Sequence, residues 1–377
     1  MTSPMAIFSK LGLPPLPSHR SDTIAALLWA REVLQQQVKT TYAVKDPQGI
    51  EELKPVHIGG MDQWLHIRGR NRHNPVLLFI HGGPGDSALG LMDAIQRPWE
   101  DYFTVVQWDQ RHSGKSYTPV DEHHPPCLEQ YVEDTLAVIQ YLRDYLQQDK
   151  LFVLGHSWGS VLAMHAVKRR PEWLHAYIGV GQVVGRQAGE RGLYERLLQH
   201  AKAQQDAEVI ARVESILPSL AEDAPPEAGE PWLNIENSGY VRRALSRLAG
   251  ETLMHHLAWD DAINMFNLDK LLSPHLTFTD LSNAILGDIQ VVDIRYDLPH
   301  DLGSDFEVPI YFFTGAHDWH TPRSLSDAWF EQISAPHKEL IHFEESSHCV
   351  MNEEPGKFLL ALVTQVLPWA KKQRGSR

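Results

Sequence analysis

Cysteine is nearly absent: Cys127 and Cys349 are the only two in 377 residues. Two isolated thiols build no disulfide framework and are not spaced as a metal-binding pair, so they fit a reducing cytoplasm. Positive charge is also scarce. With 34 Lys and Arg against 48 Asp and Glu, the formal net charge is -14, which argues against nucleic acid or an anionic membrane as a partner. No apolar run has the length of a membrane span. Ile24 to Ala30 follows Asp22 and merges into the polar Arg31 to Lys39, so it reads as an amphipathic helix and not as a signal peptide. There is no internal repeat. What is plentiful is core material: 43% hydrophobic residues and 11 tryptophans exclude a disordered chain.

In chain order, residues 1 to about 20 are Pro-rich and read as an irregular arm. A helix over Thr23 to Lys39 precedes strands at Thr41 to Lys45 and Met61 to Arg68, with Asp46-Pro47-Gln48-Gly49 as a turn. Val76 to Ile80, Thr104 to Trp108, Leu151 to Leu154 and Ala176 to Val180 are apolar without alternation, as strands buried on both faces should be. Leu128 to Leu146 carries apolar residues at helical spacing. Strand, helix, strand, helix is the rhythm of a mostly parallel, doubly wound α/β sheet.

From about Gly185 to about His300 that rhythm stops. Helical patterns such as Leu193 to Leu217 and Tyr240 to Leu248 flank the Pro/Glu-rich Glu222 to Pro231. Strand character resumes at Val308 to Thr314 and Glu339 to Phe343, and a last helix runs from about Pro355 to Trp369. The expected organisation is therefore a core of residues 1–184 and 301–377, interrupted by a helical cap of residues 185–300. A cap inserted there sits over the C-terminal strand edge, where open α/β sheets bind ligands.

Two motifs mark that edge. Gly155-His156-Ser157-Trp158-Gly159 lies between a strand and a helix, the pattern of a nucleophile elbow. There the turn is so tight that only small residues fit at Gly155 and Gly159, and Ser157 projects its hydroxyl above the sheet. His81-Gly82-Gly83-Pro84-Gly85 follows the strand Val76 to Ile80, where this architecture supplies an oxyanion donor. The expected donors are the backbone N–H groups of Gly83 and Trp158.

A serine hydroxyl needs a base, and the base needs an acid to orient it, in the chain order Ser, Asp or Glu, His. Asp318 follows the strand Val308 to Phe313, whereas the strand after Ser157 ends in Gly179-Val180-Gly181-Gln182 without a carboxylate. Of His320, His337, His342 and His348, only His348 falls just beyond the last strand. The expected triad is Ser157, Asp318 and His348, with no metal and no cofactor. A metal hydrolase built on His317, Asp318 and His320 would lack a complete ligand set. Asp109-Gln110-Arg111-His112-Ser113-Gly114-Lys115-Ser116 ends like a phosphate loop but has Asp109 where the first glycine belongs, so an Asp109–Arg111 brace is the expectation there.

With His-Gly-Gly-Pro-Gly at 81–85, Asp-Gln-Arg-x-Ser-Gly-Lys-Ser at 109–116 and Gly-x-Ser-Trp-Gly-Ser at 155–160, the chain resembles the proline iminopeptidase (prolyl aminopeptidase) family of α/β-hydrolases. The resemblance implies cofactor-free hydrolysis through an acyl-enzyme, release of N-terminal residues from small peptides, and a helical cap that encloses the substrate. His112 and His156 stand where that family commonly has glycine, and its Trp-x-x-Trp-Glu segment is missing. Ile235-Glu236-Asn237 echoes another of the family's cap glutamates, so Glu236 is the expected partner of a substrate amine. The alternative on the same triad is an esterase or amidase with a different cap pocket. A catalytically silent binding protein would be expected to have lost a member of the constellation, and dehalogenase or epoxide hydrolase chemistry would need a carboxylate at position 157.

Overall fold

The computed structural model describes residues 23–372, apart from 94, 122, 222–223, 225–229, 234, 251–252, 256, 278 and 281–294. The expected N-terminal arm and most of the Pro/Glu-rich segment lie outside the described residues. An eight-stranded sheet forms the centre, in the order β1-β2-β4-β3-β5-β6-β7-β8. Its strands are β1 (Ile50–Ile58), β2 (Met61–Gly69), β3 (Val76–Ile80), β4 (Thr104–Asp109), β5 (Leu151–His156), β6 (Leu174–Val180), β7 (Ile310–Gly315) and β8 (Lys338–Phe343). Pairing is antiparallel from β1 through β2 to β4 and parallel from there on. Every residue of β3, β4 and β7 is buried, so these strands need apolar side chains on both faces.

The helices on the N-terminal side of the chain are α1 (Thr23–Thr41), which packs against the later helix Trp259–Leu272, and α2 (Leu128–Leu146) and α3 (Trp158–Arg169), which cover the sheet. Between β6 and β7 come α4 (Arg186–Gln204), α5 (Ala207–Ile216), α6 (Ile235–Ala249), α7 (Trp259–Leu272) and the short α8 (Leu298–Leu302). The C-terminal part adds α9 (Arg323–Gln332), α10 (Val350–Glu353), α11 (Pro355–Ala361) and α12 (Pro368–Lys372). One core layer packs α2, α3 and α9 onto one face of the sheet through Val132, Val161 and Trp329; Phe358 and Leu362 cover the other face. The helices α4 to α6 have a separate core of Leu193, Tyr194, Leu197, Val213, Trp232 and Leu245. No strand occurs between β6 and β7 among the described residues, and none of the described helices is long and apolar enough to cross a membrane.

Three elements differ from expectation. Thr41 to Lys45 is not a strand, because α1 runs on to Thr41; the partner of β2 is Ile50–Ile58. That strand is at the sheet edge and buries only its two ends, so Glu51, Glu52, Lys54 and Pro55 are tolerated and no apolar alternation betrays it. The helix expected over Leu193 to Leu217 breaks at Gln205, which adopts φ 58°, and restarts where Asp206 caps the Val209 N–H. The last helix is likewise broken: a π-turn over Leu362–Val366 ends at Pro368, which has no N–H to continue the ladder.

The sheet order puts a topological switch between β3 and β5. The chain leaves β3 toward β4 on one side and later returns to pair β5 on the other, with Ile80 opposite Gly155. Loops from those two strand ends therefore diverge from neighbouring points, which makes the crevice that ligands use in open α/β sheets. Close approach has a requirement: a Cβ on Gly159 would lie 2.0 Å from the Ile80 carbonyl oxygen. Since that neighbour is backbone, Gly159→Ala is expected to lower stability by about 3 kcal/mol, the upper end for overpacking. Chemical denaturation measures it, and a loss under about 1 kcal/mol would mean that α3 can slide away from β3.

Candidate active site

Ser157 joins β5 to α3 with φ 53° and ψ -123°, a conformation that costs a side-chain-bearing residue on the order of 1–3 kcal/mol. The surroundings hold it there. Its N–H donates to the Val180 carbonyl at 2.9 Å, and a Cβ on Gly155 would meet the Gly159 carbonyl oxygen at 2.5 Å. On the adjacent loop, Gly83 adopts φ 109° and a Cβ there would strike the amide nitrogens of Gly85 and Asp86 at 2.5 and 2.6 Å, so only glycine fits. Gly82 lies against Ser157 closely enough that a Cβ would be 3.2 Å from the serine Cβ. Trp158 opens α3 and is anchored by its side chain, whose indole N–H donates to Gln110 Oε1 at 3.0 Å in the core.

Asp318 and His348 come together from the ends of β7 and β8. His348 Nδ1 lies 2.9 Å from Asp318 Oδ2, with both side chains buried. The Thr321 hydroxyl donates to the same oxygen at 2.9 Å and the Thr321 N–H to Oδ1 at 3.0 Å. Burial alone would raise the Asp318 carboxyl; His348 and the Thr321 donors outweigh it and hold the acid below its ordinary value. Gly181, at φ 54°, leaves room for the imidazole: a Cβ there would be 2.7 Å from His348 Cε1.

Two further imidazoles flank His348. The rings of His156 and His320 have their centroids 4.7 and 4.6 Å from it. Burial first and His348 second push His156 down to about 3. Burial, then Arg242 and His348, push His320 well below its ordinary value. Both neighbours are therefore neutral near pH 7, and neither competes with His348 for Asp318.

A cavity of about 300 Å³ opens above these groups, lined by Gly83, Asp86, Ser157, Trp259, His320 and His348 among others. A smaller recess beside it also touches Ser157 and is walled by Trp158, Glu190 and Tyr296. Arg186 and Arg242 line both. Arg242 is held by Glu190, at 2.9 and 3.3 Å, and points its Nε at His320 Nδ1, 3.1 Å away. Asp86 accepts from Lys270 at 2.6 Å, yet half of its side-chain surface is exposed. It is deep in the fold, so what it faces is the cavity; burial would raise its carboxyl, and Lys270 brings it below the ordinary value.

Residues 75–211 match the family described as the alpha/beta hydrolase fold. The probable aminopeptidase YbaC of Bacillus subtilis is 29% identical over 84% of this chain and 96% of its own. A proline iminopeptidase of Xanthomonas citri is 25% identical over 75% and 86%. A solved structure of a proline iminopeptidase-related protein from Thermus thermophilus overlays with a TM-score of 0.54 at 22% identity, covering 85% of this chain and 99% of that one. The chain has the α/β-hydrolase fold. The resemblance to proline iminopeptidases seen in the motifs thus extends along most of the chain.

In this α/β-hydrolase fold, Ser157, Asp318, His348, Gly83 and Trp158 meet at one place, while Glu236 does not join them. Glu236 is exposed on the first turn of α6 and is absent from the lining of both cavities. The acids that do line them, Asp86 and Glu190, carry no motif that would single them out. The expected Asp109–Arg111 brace is also corrected. Arg111 forks onto Asp134 of α2 at 2.6 and 2.8 Å, and Asp109 instead accepts from the Ser87 hydroxyl and the Lys115 N–H. Glu353 likewise has no sequence signal; it takes the Ser347 N–H at 3.0 Å and the His255 N–H, tying the His348 loop to the segment before α7.

Burial of neutral imidazoles makes the fold sensitive to acid. His66 and His320 are pushed well below their ordinary value, chiefly by burial, and His81, His156 and His275 fall to about 4, 3 and 4 for the same reason. Between there and the ordinary 6.5 the unfolded chain binds more protons, so stability falls as pH drops. Asp93, Asp109 and Glu353, raised to about 7, 6 and 7, act in the opposite sense. Burial lowers His112 and His165 in the same way and Asp318 is held below its ordinary value, so the net expectation is a loss of stability on acidification below 6.5. Denaturation at pH 7 and pH 5 checks it, and equal stabilities would contradict the assignment of neutral histidines.

Proposed function

We propose that the chain is a serine hydrolase that works through an acyl-enzyme, with Ser157 as nucleophile and His348 as general base. The observation that carries this is the buried Asp318–His348 pair, whose imidazole lines the same cavity as Ser157. The Ser157 Oγ attacks the substrate carbonyl as its proton passes to His348 Nε2, while Nδ1–H stays on Asp318 and stabilises the imidazolium. The carbonyl oxygen takes the negative charge and is received by the N–H groups of Gly83 and Trp158. His348 then protonates the leaving group, and a water activated by the same histidine releases the acyl group. Residues 185–300 act as a cap that excludes bulk water from this sequence of steps.

The substrate is a small peptide with a free N-terminus. Relatives named aminopeptidase and proline iminopeptidase support this, and so does a carboxylate facing the cavity. A buried ammonium needs such a partner to offset its desolvation. That partner is Asp86 in place of Glu236. Lys270 occupies Asp86 Oδ1, which leaves Oδ2 as the remaining acceptor.

One observation favours a second reading. Arg186 and Arg242 share the single carboxylate of Glu190, so that wall carries an excess positive charge. It suits an esterase or amidase whose acyl group bears a negative charge. A panel of free-amine, N-blocked and acidic chromogenic substrates separates the two. On the first reading, Ser157→Ala abolishes all turnover, by on the order of 10⁴-fold or more. Asp86→Asn lowers kcat/KM for free-amine substrates by about 10-fold or more, the cost of a charged hydrogen bond, and spares N-blocked esters. Preference of the wild type for N-blocked acidic substrates, lost in Arg242→Gln, would replace the aminopeptidase with the esterase or amidase.

A further inference from the structure

A second cluster of chemistry-bearing side chains is formed by residues that play no part in the proposed reaction. His66 comes from β2, Asp93 from the turn that follows Gly90, and His275 from the segment just after α7. One ligand-type atom of each lies within 4.8 Å of the other two. His66 Nδ1 is 3.8 Å from Asp93 Oδ1, and His275 Nε2 is 3.6 Å from Asp93 Oδ2. The two rings sit 4.2 Å apart at 51°.

His66 is 1% exposed, and neither of its ring nitrogens has a hydrogen-bond partner among the described residues. A buried imidazole left so is costly, and an orphaned polar group of this kind calls for an explanation. Among the described residues only the Ser273 hydroxyl donates a hydrogen bond to Asp93, at 3.0 Å. Of the cations nearby, Arg97 lies over the Tyr42 ring. Arg68 pairs with Glu51 and Glu100, and Lys115 with Asp280.

We infer that His66, Asp93 and His275 bind a first-row divalent cation of the zinc class. Two imidazoles and a carboxylate are the ligand types such ions take, in tetrahedral sites with bonds of about 2.0–2.2 Å. Bonds of that length place ligand atoms about 3.4 Å apart, so with one atom from each residue, now within 4.8 Å of one another, the three side chains close by up to about an ångström and a half on binding. The cation's role is positional. Helix α7 supplies Trp259, Ile263 and Phe266 to the cavity wall and Lys270 to Asp86, and α1 is tied to the same segment by Arg31, which donates to the Leu271 and Leu276 carbonyls. A cation linking His275 to β2 would fix the end of α7, and thus the cavity's roof, to the sheet.

The site does not depend on the serine hydrolase assignment and is tested without an activity assay. The full chain is stripped with a chelator, dialysed, and titrated with Zn²⁺, and with Co²⁺ as a spectroscopic probe. One equivalent of Zn²⁺ should be retained, Tm should rise, and Co²⁺ should give the visible bands of a tetrahedral site. Asp93→Asn and His275→Ala should each weaken Zn²⁺ binding by on the order of 100-fold or more, at or beyond the limit of second-shell changes, and lose the Co²⁺ bands. His57→Ala, at an exposed histidine, should change neither. Failure of Zn²⁺ to bind or stabilise the wild type, or binding that persists in both Asp93→Asn and His275→Ala, would overturn the proposal.

Discussion

The contact on which the site depends is the one between the start of α3 and the end of β3. At Gly159 the helix backbone approaches the Ile80 carbonyl so closely that no side chain fits. This approach, with Gly155 packed equally tightly against the same helix, forces Ser157 into its left-handed turn. It also sets the Gly83 loop and the N-terminus of α3 on opposite sides of one small space. The parallel pairing of β3 with β5 makes it possible, because only adjacent strands can deliver both loops to one point. The strain at Ser157 is therefore offset by the buried strands beneath it.

Around that point the electrostatics are economical. Among the described residues, Asp318 is the single carboxylate in contact with His348, and both its oxygens are occupied by donors from His348 and Thr321. The imidazoles on either side stay neutral. An imidazolium formed at His348 would thus be stabilised by one fixed charge in a region of low dielectric, where such an interaction is strong. The pockets above are different in kind: paired charges stand at them, Asp86 from a sheet loop with Lys270 of α7, and Glu190 of α4 with Arg242 of α6, so three of the four come from the inserted helices. On the proposed function, substrate selection and catalysis would fall to separate layers.

The same division explains what is visible in the sequence. The apolar runs of β3, β4, β5 and β7 are legible because burial on both faces leaves no choice of residue, and the glycines at 83, 155 and 159 because backbone geometry excludes everything else. Ser157, Asp318 and His348 follow from their places after those strands. Edge strand β1 escapes a reading by pattern because a strand paired on one side needs neither alternation nor freedom from proline. Glu236 misleads since a three-residue echo says nothing of which way a helix turns, and α6 directs that residue outward. Arg111 finds Asp134 of α2, a partner 23 positions along the chain, and spacing alone does not distinguish it from the nearer Asp109. Asp86 and the His66–Asp93–His275 cluster depend on contacts between distant segments, for which one sequence holds no signal.

The central claim is that Ser157 is activated by the Asp318–His348 pair. Labelling with a fluorophosphonate, followed by peptide mapping, tests it most directly because the reagent reads nucleophilicity without requiring knowledge of the substrate. The account predicts a single adduct on the peptide that carries Ser157, lost in Ser157→Ala and strongly slowed in a folded His348→Ala protein. An adduct at another residue, or labelling of equal rate after either substitution, would contradict it.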